Sequence, residues 1–185
     1  GDGMHEITVE SLIGDYLFAL RCIRGLDDNH FLYCTPTERE AMRGKLVEET
    51  RQDHAFKLLA LIDAALRNDF HQSRASRRRD PVSMLQRQLH TEYRTEVRGN
   101  PRSRDVARHI AVARILRAFE RYVSPLSSAA KRDCRIARNY LPFLRWYPER
   151  HAPKGPMPLV ADPEDLVELH QHLQERVFDR EEAVV

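Results

Sequence analysis

The chain has 185 residues, 42% of them hydrophobic and 31% charged, with a formal net charge of +2. That balance suits one folded domain with its own core and excludes reading nucleic-acid binding from charge alone. Three scattered cysteines, Cys22, Cys34 and Cys134, exclude a disulfide framework or a paired-cysteine zinc site, and no apolar run approaches the roughly 18 residues of a membrane span.

In chain order, Gly1-Asp2-Gly3 ahead of Met4 reads as the remnant of an expression tag, so residues 1–5 are set aside and the domain is expected over 6–178. A first helix is predicted over Glu6–Arg24, where Val9, Leu12, Ile13, Tyr16, Leu17, Leu20 and Ile23 recur at three- and four-residue spacing, and Gly25 ends it. After a loop through Pro36, Thr37 and Glu40 form a capping box. It opens a long helix running toward Phe70, either unbroken or with a kink or break near Thr50–Asp53. Met42, Leu46, Phe56, Leu59, Ile62, Leu66 and Phe70 are its apolar stripe, and Ser73–Arg79 follows as a basic linker. Four pairs then place a capping side chain before proline: Asp80-Pro81, Asn100-Pro101, Ser124-Pro125 and Asp162-Pro163. Proline suits the first helical position, and the preceding side chain caps the turn. The pairs predict helices over Pro81–Val97, Pro101–Val123, Pro125–Leu144 and Pro163–Phe178, with Gly99 closing the first of them. Pro148, Pro153, Pro156 and Pro158 predict a stiff extended segment, and 179–185 a frayed tail. With alternating Val, Ile and Thr scarce, the expected fold is all-α, an up-down bundle of five to six helices with two long antiparallel ones at its centre.

Arginine makes up 26 of the 30 basic residues; the four lysines are Lys45, Lys57, Lys131 and Lys154. Arginine grips phosphate with paired donors and stacks on bases, although a GC-rich coding sequence accounts for the same excess more simply. The most pointed stretch is Arg138-Asn139-Tyr140-Leu141-Pro142-Phe143-Leu144-Arg145-Trp146-Tyr147. An arginine and an amide there open a short aromatic, basic run.

This stretch resembles the motif of the HEPN domains, small helical bundles of toxin–antitoxin, abortive-infection and CRISPR-associated ribonucleases. Arg138 falls on the motif arginine, Asn139 on the polar residue that follows it, and Arg145-Trp146-Tyr147 on a common basic–aromatic continuation. Upstream, Leu61–Phe70 is similar to the acidic and basic stretch of the family's long second helix. The resemblance implies metal-independent RNA cleavage by attack of a 2′-hydroxyl, with Arg138 on the phosphate, Asn139 orienting it, and Asp63 and Arg67 in support. It implies RNA contacts at Arg135, Arg145, Trp146 and Tyr147. It also implies a homodimer whose seam takes Trp146, Tyr147 and Tyr140, the last of which suits the core equally well, and a cognate antitoxin or other defence partner; the scattered cysteines point to a reduced, cytoplasmic location.

The motif histidine, however, falls at Phe143. A benzyl ring transfers no proton, and loss of a general base costs on the order of a hundred- to ten-thousand-fold. The expectation is therefore an RNA-associated protein with weak or absent ribonuclease activity. Two alternatives stand beside it. One is an active endoribonuclease using His109, which follows Arg102, Arg104 and Asp105, or His151. The other is a non-catalytic dimerisation or adaptor domain. Asp63 and Arg67, one turn apart, read equally well as a surface ion pair. His170 and His172 lie on different faces of a helix, HExxH and phosphate-loop glycine patterns are absent, and neither metal nor cofactor is expected.

Overall fold

The computed structural model describes residues 7–32, 34–97, 99, 101–123, 126–152 and 155–180, and among them every regular element is helical. Helix α1 (Val9–Arg24) is capped by Thr8, whose hydroxyl accepts from the Ser11 N–H at 3.0 Å, and it ends at Gly25 as predicted. The predicted start at Glu6 lies outside the described residues. A 3-10 turn (Asp28–Phe31) leads to α2 (Pro36–Ala75), 40 residues long. The cap of α2 is Thr35, which accepts from the Glu38 N–H at 3.2 Å, with Pro36 in the first helical position. The predicted Thr37–Glu40 box therefore lies inside the helix. The cap-then-proline device wins because Pro36 needs no partner for the N–H it lacks.

Of the two alternatives the unbroken helix holds, and α2 runs through Thr50–Asp53 without interruption. Glu48 accepts from Arg51 at 2.7 Å and from Gln52 at 3.0 Å, and Asp53 pairs with Lys57 at 2.8 Å. Such contacts one turn apart knit a helix through a polar stretch. The buried face of α2 begins only at His54 and continues through Leu58, Leu59, Ile62, Leu66 and Phe70. Met42 and Leu46, predicted in the stripe, remain exposed.

Helix α3 (Pro81–Glu96) starts on the predicted Asp80 cap, which accepts from the Ser83 N–H at 2.9 Å. The single helix expected over Pro101–Val123 is instead two: α4 (Ser103–His109) and α5 (Val112–Tyr122), with Ile110 and Ala111 extended between them. Helix α6 (Ser128–Tyr140) starts on Ser127 rather than at Pro125, and Asn100, Ser124 and Pro125 lie outside the described residues. Pro142 then opens α7 (Pro142–Trp146), followed by a 3-10 turn at Tyr147–Glu149 that contains Pro148. Helix α8 (Pro163–Leu173) begins on the predicted Asp162 cap and continues as one π-type turn, Gln174–Phe178.

One long helix, not two, forms the centre. The next longest, α1 and α3, have 16 residues each. Helix α2 packs against α4 (Val106), α5 (Ile115, Leu116, Phe119) and α8 (Leu166, Leu173), and α6 (Cys134, Ala137) closes the core from behind α5 and α8. None of the described helices is long and apolar enough to cross a membrane.

Arginine has a structural use that its abundance did not announce. Arg43 of α2 donates to the carbonyls of Ile23 at 3.5 Å, Arg24 at 3.4 Å and Leu26, closing the end of α1. Arg67 donates to Ala107, Arg108 and Ile110 at 3.2, 2.9 and 2.7 Å, closing the end of α4. Arg87 of α3 donates to Ser73 and Ser76 at 3.3 Å each and to Arg78, closing the end of α2. Helix C-termini leave carbonyls without partners and carry partial negative charge, so a five-donor cation from a neighbouring helix answers both needs.

Candidate functional site

The motif stretch occupies the junction of α6 and α7. The apolar positions Ala130, Cys134 and Ala137 turn one face of α6 into the core, leaving Arg135, Arg138 and Asn139 on the outer faces. Pro142 has no N–H to give to the carbonyl of Arg138, so the α6 ladder stops there. Leu141 bridges the two helices, its N–H donating to Ala137 at 3.1 Å.

Arg138 is drawn to Glu120 of α5. Its Nε lies 3.0 Å from Glu120 Oε2, and its Nη2 donates to Oε1 at 3.2 Å. Arg135 reaches the same carboxylate, Nε to Oε1 at 3.5 Å, but is 60% exposed against 29% for Arg138 and 16% for Glu120. Two cations thus share one anion, and the cluster keeps a net positive charge. Asn139 and Arg145 are exposed.

Phe143 is fully buried in the core. Its ring packs on Trp146 at 5.8 Å and on Tyr147 at 5.4 Å between centroids, and Tyr147 stacks on Phe56 of α2 at 4.9 Å. The predicted RNA-binding aromatics therefore serve the interior of the chain. Tyr147 is buried and donates to Asp53 Oδ1 at 3.3 Å. Burial and the Asp53 charge push its phenol above the ordinary value. Trp146 is half-buried, with Nε1 enclosed and lacking a hydrogen-bond partner.

Asp63 and Arg67 pair at 2.9 Å as their spacing implied. Their bonds go to each other and to the end of α4, and none of them reaches Arg138. The two histidines proposed as substitutes are also apart from Arg138 in their settings. His109 is exposed at the end of α4. His151 is exposed beside a groove of about 450 Å³ that also contains Asp53, His54, Tyr147 and Arg150. Arg150 lies over the Tyr147 ring at 4.0 Å.

Several charged side chains with structural or binding potential escape sequence reasoning, because their partners lie far along the chain. Glu120 is one. Asp133, 4% exposed, is another: it receives Arg176 at 2.7 Å and lies 3.3 Å from His172 Nδ1, beside a groove that Tyr140 also lines. Arg180 is a third, buried between Asp69 and Asp80. Asp80 shows a signal in sequence, but only as a helix cap. Among the described residues no group of three or more His, Cys, Asp or Glu side chains is placed to hold a metal ion. Comparison of the chain with protein-family models, with curated proteins and with solved structures returned no match.

Proposed function

We propose that this chain is an HEPN-like, RNA-associated helical protein of a bacterial defence or toxin–antitoxin type, holding RNA phosphate at Arg138 and Asn139 and cutting weakly or not at all. The observation that supports it is the pairing of Arg135 and Arg138 on the single carboxylate of Glu120. Glu120 fixes both guanidinium groups without cancelling them. A phosphate arriving beside the exposed Asn139 meets oriented donors and a surplus positive charge. Arg145, exposed one turn beyond the junction, extends the same sign. Phe143 supports the non-cleaving half of the reading, since its ring is enclosed by Trp146 and Tyr147 rather than opposite the guanidinium. The test is labelled RNA with EDTA, followed for binding and for 2′,3′-cyclic phosphate ends. Binding without such ends is expected, weakened in Arg138→Ala, with a salt slope smaller by about one. Cleavage in place of simple binding moves the assignment to the enzyme using His109 or His151.

A second reading, a dimerisation or adaptor domain, is favoured by one feature. Met84, Leu85, Leu89 and Tyr122 line a groove of about 730 Å³ between α3 and α5. Met84 and Tyr122 are 54% and 68% exposed there, and clustered exposed apolar side chains mark contact surfaces. Absence of RNA binding together with a dimer that Tyr122→Asp disrupts in sedimentation velocity supports this reading instead.

A further inference from the structure

The end of α2 and the outer side of α3 enclose a groove of about 400 Å³, lined by Arg74, Arg87, His90, Thr91, Arg94 and Thr95. No carboxylate is among those residues. His90 is 2% exposed, yet its Nε2 has no hydrogen-bond partner. The ring is held in place by stacking on Phe70, 6.2 Å between centroids. Leaving a buried polar atom unsatisfied is unfavourable, so its persistence beside a groove calls for a ligand.

The sign of the groove says which kind. Burial first, and then the positive charges of Arg74, Arg94 and His71, push His90 down to about 4. The groove thus disfavours a cation at His90 and favours an anion in front of it. The hydroxyls of Thr91 and Thr95 donate to the carbonyls of Arg87 and Thr91 at 3.1 and 3.0 Å, so their protons are spent within α3. Arg87 likewise spends its donors on the end of α2. The His90 imidazole and the Arg74 guanidinium are left to meet a ligand, and both suit oxyanions. Arg74 is exposed and has no ion pair among the described residues.

We propose that this groove is a phosphate site for a nucleic-acid strand, with the N–H of His90 Nε2 donating to a phosphate oxygen, Arg74 flanking it and Arg94 adding positive charge from α3. The linker argues for a strand over an isolated phosphate. Arg77, Arg78 and Arg79 follow Arg74 along the chain and are all exposed. Arg87 pins that linker against α3 through the Arg78 carbonyl. A row of cations leading away from one enclosed site matches the repeated charge of a phosphodiester backbone. The site stands apart from Arg138 and does not rest on the function proposed there.

The test is the side-chain 15N spectrum of the histidines in the full chain, first with inorganic phosphate and then with single-stranded RNA. The expected result is a phosphate-dependent shift of the His90 ring nitrogens, reproduced by RNA at lower concentration. In Arg74→Glu, at an exposed position, the affinity read at His90 falls by about tenfold or more, as loss of a charged contact implies. A silent His90 in both titrations overturns the site, and so does an unchanged affinity in Arg74→Glu. A response to phosphate or to a phosphopeptide that RNA does not reproduce overturns the strand assignment. Because the His90 signal reports on this groove alone, its silence leaves RNA binding at Arg138 to its own assay.

Discussion

Arg180 spends its guanidinium inside the protein. It is 7% exposed and lies 2.9 Å from both Asp69 and Asp80, which are themselves 14% and 10% exposed. The hydroxyls of Ser73 and Ser83 accept from it at 3.0 and 3.2 Å. Two carboxylates and one cation make a cluster that depends on the cation. Replacing Arg180 by alanine leaves two enclosed anions facing each other, a change worth about 3–5 kcal/mol. Urea unfolding of Arg180→Ala should show a loss of that order, and a loss below about 1 kcal/mol shows the cluster to be effectively solvated. Phe143 poses the opposite case, an apolar ring in an aromatic cage. Phe143→His puts an imidazole where no partner awaits it, and burial of an unpaired polar group costs about 1–3 kcal/mol. The variant should melt earlier and gain no cleavage of labelled RNA. A gain in cyclic phosphate ends would show instead that position 143 reaches the phosphate.

The joint between α4 and α5 shows how an element boundary can be set from elsewhere in the chain. Val106, Ile110, Ala113, Leu116 and Phe119 keep helical spacing across it, yet Ile110 and Ala111 are extended. Arg67 stabilises the break by collecting three carbonyls there. Arg67→Ala should therefore open α4 selectively. Amide exchange over Ser103–Ile110 is expected to quicken by about tenfold or more, the equivalent of roughly 1.4 kcal/mol, while the α2 and α8 amides keep their protection. Uniform quickening across the molecule shows Arg67 to be a global rather than local support. The same joint marks what sequence could and could not disclose. Starts built on a capping side chain and proline were legible at Asp80 and Asp162 because the cap is local, and so was the end of α1 at Gly25. The α4–α5 break was not, since the apolar period runs through it and its stabilising cation comes from α2. Arg138 and Asn139 were legible as a pair opening an aromatic, basic run, whereas Glu120, 18 residues upstream of Arg138, announced nothing. Phe143 was legible as inert but not as core, because a pattern of spacing carries no information about which way the chain turns at Pro142.

At the scale of the whole molecule, the charge pairs and the enclosed histidines set how the fold responds to acid, in two stages of the same sign but different cause. His90 has an unfolded value near 6.5 and is held at about 4 in the fold by burial and by Arg74, Arg94 and His71. His170 is shifted in the same direction, chiefly by burial. Between those two values the unfolded chain binds a proton at His90 that the folded chain refuses, so stability declines as pH falls from about 6.5 to about 4 and is level above that window. The carboxylates act lower. Glu48 is held below its ordinary value first by the Arg51 hydrogen bond. At Asp80 burial raises the carboxyl, but the Ser83 hydrogen bonds and Arg180 outweigh it and leave it lowered. Their contribution is complete above the unfolded carboxylate value and is lost as pH falls through the folded one. Replacing His90 by glutamine removes the larger part of the upper stage and leaves the His170 part. From pH 6.5 to 4.5 the thermal midpoint of His90→Gln should fall less steeply than that of the parent, by the equivalent of about 2 kcal/mol, discounted for the water that reaches the groove, with His170 accounting for the fall that remains. Both proteins should then lose stability together below pH 4. Parallel curves throughout would show that His90 takes up its proton in the folded chain as freely as in the unfolded one, and that the positive field at its ring is weaker than Arg74, Arg94 and His71 require.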